Sequence, residues 1–142
     1  MAADEAFESA TRLLRHRDRA TADLDRRLAA SGFAEPERAD AIETLTRTGV
    51  LDDARFASGR AQALAGRGAG DRLIRHDLAF GGVSRELIDE VVGELEPESE
   101  RARRIVEKRG ASPKTARYLA GKGFSDGAVR AAIAHAEEEA LG

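Results

Sequence analysis

One pattern constrains this chain more than any other. An apolar residue, a glycine four positions on and a second apolar residue recur three times: Leu28–Gly32–Phe33, Leu78–Gly82–Val83 and Leu119–Gly123–Phe124. The glycines lie 50 and 41 residues apart. A helix that ends in glycine followed by an apolar residue predicts a left-handed C-cap with its hydrophobic contact. Seven positions ahead of each leucine stand Thr21, Asp71 and Ser112, three good N-cap types. Pro113 follows at a first helical position, where a missing N–H costs nothing. Leu14, Leu64 and Ile105 match upstream, and Ile42, Val92 and Ile133 match downstream. The repeating unit is therefore three helices. They are predicted near 4–17, 21–31 and 35–48, then 52–67, 71–81 and 84–95, then 97–109, 112–122 and 125–140. The 142 residues divide into tandem units 1–51, 52–96 and 97–142, an all-α array.

The apolar periods support helices. Phe7, Ala10, Leu13 and Leu14 form one stripe, and Leu87, Ile88, Val91, Val92 and Leu95 form another, with no run of period two. Each unit carries few large apolar side chains and buries little surface alone. Stacked end to end, the units are expected to share cores at their junctions.

Catalytic constellations are scarce. There is no cysteine, which excludes disulfides, thiolate metal sites and a thiol nucleophile. His16, His76 and His135 stand apart from any metal-ligand spacing. The glycines of 66–70 follow a helix rather than a strand and lack a following Lys-Ser/Thr, so they indicate a turn and not a phosphate cradle. Asp52 and Asp53 sit at a helix start, where capping and the helix dipole account for them. No catalytic, cofactor-binding or metal-binding residue is expected. Residues 1–20 are too charged for a signal peptide, and no apolar run approaches the ~18 residues of a membrane span. A soluble, cytoplasmic, monomeric protein is expected.

Charge is unevenly spread. The net charge is −3, and the pI of about 5.7 argues against bulk attraction to nucleic acid. Units one and two are net −2 and −3, whereas the third is net +2. Between Arg101 and Lys122 stand eight basic residues and one acid. Arg17, Arg67 and Lys108 share one position in the glycine register, at the end of each first helix. A regular stack would align them along one side.

The order of motifs resembles the RecX regulatory proteins, bacterial modulators of the RecA recombinase. The first unit offers Ala10, Leu13, Leu14, Arg17, Thr21, Leu24, Leu28 and Gly32-Phe33. The most specific stretch is Gly49-Val50-Leu51-Asp52-Asp53-Ala54-Arg55-Phe56-Ala57, followed by Arg67-Gly68-Ala69-Gly70, Arg72, Ile74, Leu78 and Gly82-Val83. Ala116-Arg117-Tyr118-Leu119 with Gly123-Phe124-Ser125 completes the match over about 120 residues. The resemblance implies an elongated, curved array of three-helix repeats without catalytic residues or cofactor. It implies binding in the groove of RecA–DNA filaments and suppression of strand exchange, ATP hydrolysis and coprotease activity. The expected contact surface is Arg101, Arg103, Arg104, Lys108, Lys114, Arg117 and Lys122, with Arg17, Arg67, Arg72 and Arg75. The alternative is direct binding to single- or double-stranded DNA by helix-turn-helix-like units. Two departures stand out: this chain is slightly acidic where the family is often basic, and Ala69 replaces a commonly larger residue between two glycines.

Overall fold

The computed structural model describes residues 2–142, so position 1 of the first unit lies outside the described residues. Those residues form nine α-helices and no strand. They are α1 Ala2–His16, α2 Thr21–Ala30, α3 Glu35–Arg47, α4 Asp53–Gly66, α5 Asp71–Phe80, α6 Arg85–Glu94, α7 Glu98–Arg109, α8 Pro113–Gly121 and α9 Asp126–Leu141. In each triplet the first helix packs on the third: α1 on α3, α4 on α6 and α7 on α9.

The three glycines repeat one hydrogen-bonded device. Phe33, Val83 and Phe124 donate their N–H to the carbonyls of Leu28, Leu78 and Leu119, and Gly32, Gly82 and Gly123 donate to Ala29, Ala79 and Ala120. This is the Schellman pattern. Its glycine takes a positive φ, here 96°, 94° and 94° in chain order. A side chain at those positions would be strained.

The N-terminal caps differ from expectation. Thr21 and Asp71 are the first helical residues, and the caps are Ala20 and Gly70, which offer no side-chain acceptor. The next unit supplies that acceptor. Asp53 accepts from the N–H and hydroxyl of Thr21 at 2.7 and 2.8 Å, and Glu98 accepts from the N–H of Asp71 at 2.7 Å. In the third unit Ser112 caps its own helix by accepting from the Thr115 N–H. An orphan N–H at a buried helix start needs a partner, and the array provides it across units.

The shared-core expectation is corrected as well. Burial falls into three separate clusters. One is centred on Ala10, Leu24, Leu28, Leu45 and Leu51, one on Ala61, Ile74, Leu78, Ile88 and Val91, and one on Ala102, Val106, Leu119 and Phe124. Of the first unit's described residues only Ala20 joins the second cluster. Small units close their own cores here because each third helix folds back on the first.

The junctions are built instead from turns, caps and backbone. The glycine turn of one unit seats on the start of the preceding unit's second helix. Gly82 sits against Ala22, and Gly123 against Leu73. At the second junction Gly70 donates to the Lys122 carbonyl at 2.8 Å and Arg72 donates to the Gly123 carbonyl at 3.1 Å. The accessible surface is 8550 Å², against roughly 7,100 Å² for a compact globule of this mass. That excess accords with an extended array.

Candidate functional site

The second junction disperses the expected basic patch. Arg101 is 7% exposed and lies inside it. Its guanidinium donates to the carbonyls of Ala69 and Glu96 at 2.9 Å each, pairs with Asp71 and lies 5.9 Å from the Phe124 ring centre. Arg101 is thus a clamp between units, and the expectation that it faces a partner is not met. Ala69, itself buried, lends this clamp its carbonyl.

Other cations are engaged by neighbours. Arg103 pairs with Glu100 at 3.0 Å, Arg104 with Glu96, and Arg75 with Asp89 at 2.6 Å. The Arg104 hydrogen bond holds the Glu96 carboxyl below its usual range. Arg72 donates to the Ala120 carbonyl at 3.2 Å. Among the described residues Arg17, Arg67, Lys108, Lys114, Arg117 and Lys122 make no ion pair, and all but the half-buried Lys122 are exposed.

Part of this set converges. A groove of about 210 Å³ between α4 and α7 is lined by Gly66, Gly68, Arg101, Arg104, Ile105 and Lys108. Gly68 has φ +88°, and a side chain there would meet Lys122 Cε at 4.0 Å and Ile105 at 3.8 Å. Arg104, Lys108 and Lys122 therefore border one turn, with Arg67 in it. Arg17 belongs elsewhere, on the groove between the first and second units.

Sequence reasoning missed the roles of four side chains that join or brace the units. Asp53 and Glu98 join successive units, and Glu98 also accepts from the Ser125 N–H and hydroxyl at 3.2 and 2.8 Å. They begin α4 and α7, 45 residues apart, so the 41-residue glycine register misaligns them. Arg60 and Asp77 form a two-pronged pair at 2.8 Å, and the Arg60 hydrogen bond lowers the Asp77 carboxyl below its ordinary value. No metal-competent group of three or more His, Asp or Glu side chains lies among the described residues. No described helix is long and apolar enough to cross a membrane.

Residues 52–92 match the family description "RecX, second three-helix domain". The regulatory protein RecX of Chromohalobacter salexigens is 36% identical over 140 residues, covering 92% of each chain. This chain belongs to the RecX family. A second relative, the regulatory protein RecX of Halorhodospira halophila, is 34% identical over 149 residues, covering 97% of this chain and 92% of its own. The fold extends further than the sequence likeness. The crystal structure of RecX from Lactobacillus salivarius superposes with a TM-score of 0.83 at 14% identity, covering 96% of this chain and 97% of the other. Another regulatory protein RecX gives 0.73 at 19% identity, over 91% of this chain and 70% of the other. The family's members are named as regulatory proteins, and this chain shares their all-α repeat architecture.

Proposed function

We propose that this RecX-family chain is a non-enzymatic regulator that binds RecA–DNA filaments in the cytoplasm and lowers their recombinase, ATPase and coprotease activities. The observation that carries the reading is an array of three like units, joined by hydrogen bonds at their junctions, in a family of regulatory proteins. A periodic partner offers equivalent surfaces at regular spacing. Three units held in register can engage more than one of them, so modest contacts add through effective concentration. The unpaired cations Arg67, Lys108, Lys114, Arg117 and Lys122 supply local attraction without bulk positive charge. The chain acts as a monomer and needs no cofactor in this reading.

Cosedimentation with RecA–single-stranded DNA filaments at low salt tests it, with bare DNA in parallel. The chain is expected to pellet with filaments and to bind bare DNA more weakly. Absence from the filament pellet would sink the proposal. Equal affinity for bare DNA, falling steeply with salt, would point to direct DNA binding instead.

A further inference from the structure

We infer that the groove between the first and second units is a docking site for an acidic protein segment carrying an apolar side chain. The inference rests on the reading above that the chain acts on a protein partner. It places a contact away from the basic stretch of the third unit.

The groove has a volume of about 470 Å³ and is lined by Arg17, Arg26, Arg27, Phe56 and Phe80, among others. Phe80 ends α5 and is 82% exposed, the most exposed aromatic residue among those described. The repeat itself does not demand it. At the matching position of the second junction stands Gly121, and the groove there is lined by Arg72, Leu73, His76, Gly121 and Gly123. An aromatic ring held in water beside a concave surface is unfavourable until something covers it.

Charge specifies what covers it. Arg26 and Arg27 are exposed, and both lean on Asp23, at 3.4 and 3.2 Å. Asp23 also holds the buried Arg19 at 3.2 Å. One carboxylate is thus shared by three guanidiniums, and Arg17 adds a fourth cation on the same groove. Guanidinium forks match single carboxylates closely, and Arg with exposed aromatic side chains is the composition of protein-binding hot spots. A nucleic-acid strand fits less well. Asp23 sits among the cations of the groove and Phe56, Phe80 and Ala30 break their line, so no continuous track exists for a phosphate backbone.

The test titrates the full chain, followed by NMR, with the peptide Glu-Glu-Asp-Phe-Leu-Glu-Asp and separately with a twelve-residue oligothymidylate. The peptide is expected to shift the Phe80 ring and the Arg26 and Arg27 side-chain resonances. Phe80→Ser and Arg26→Glu should each weaken it at least tenfold without moving the melting temperature, since both side chains are exposed. The same variants should weaken binding to RecA–DNA filaments at least tenfold. A peptide that leaves Phe80 unmoved overturns the inference. So does an oligothymidylate that perturbs the groove more strongly, or wild-type-like filament binding by Phe80→Ser. If the wild-type chain fails to bind filaments at all, the proposed function falls, and the peptide titration still decides the groove.

Discussion

Gly32 and Gly123 hold the same backbone conformation in different surroundings, and replacing each by alanine separates capping from docking. At Gly32 φ is +96° and nothing lies within 4 Å of an added methyl. Gly32→Ala should therefore cost only the left-handed strain, about 1–2 kcal/mol. At Gly123 φ is +94°, and the methyl would fall 2.7 Å from the backbone nitrogen of Leu73. Backbone cannot swing aside as a flexible side chain does, so the third unit must back away from α5. That adds overpacking of about 1–3 kcal/mol and weakens the two junction hydrogen bonds from Gly70 and Arg72, worth about 1 kcal/mol each. Gly123→Ala should thus cost about 1–5 kcal/mol more than Gly32→Ala. Urea unfolding followed by circular dichroism measures both. In the Gly123 variant the transition should also broaden or split, because units joined only by their junctions lose cooperativity when one is loosened. Equal costs for the two variants, with transitions of equal sharpness, would show that Gly123 is merely a helix cap and that the junction does not bind the units together.

Other outcomes follow from the same structure. Arg101→Ala removes the cation from Asp71 and the donor from Ala69; with Asp71 partly exposed, the loss should be about 2–3 kcal/mol in the same unfolding assay. The Asp77 carboxyl is depressed, chiefly by the Arg60 hydrogen bond, so its contribution is present above the ordinary carboxylate value and fades as pH falls through the lower folded value. Asp77→Asn should accordingly flatten the acid limb of a stability-against-pH curve below about pH 4 and lower stability at neutral pH. Reversing Lys108, Lys114, Arg117 and Lys122 to Glu should reduce filament cosedimentation at least tenfold while leaving the circular dichroism spectrum unchanged. Retained binding would mean that these cations are only solvated.

Much of the fold was legible because glycine and the residue after it mark a helix end in a way few other pairs do. The Leu-x-x-x-Gly-apolar pattern located all nine helices among the described residues within a few positions. The junctions were not legible. Thr21 and Asp71 resemble caps in sequence, yet they are the first helical residues, their N-caps are Ala20 and Gly70, and the acceptors arrive from Asp53 and Glu98, more than 25 residues away. The candidate surface was only partly legible for a related reason. Eight basic residues between Arg101 and Lys122 look alike in a linear count, but burial sends Arg101 into the junction, and nearby carboxylates engage Arg103 and Arg104. Phe80 gave no signal at all, since an apolar residue at a helix end ordinarily packs inward.

In the proposed function this RecX-family chain restrains a RecA filament. It is tested most directly by titrating the chain into RecA on single-stranded DNA and following ATP hydrolysis. A saturable fall in the rate is expected, reached at no more than one chain per RecA subunit and lost in the Lys108, Lys114, Arg117 and Lys122 reversal. A rate that stays constant at a several-fold excess of chain, or ATP hydrolysis by the chain without RecA, would contradict it.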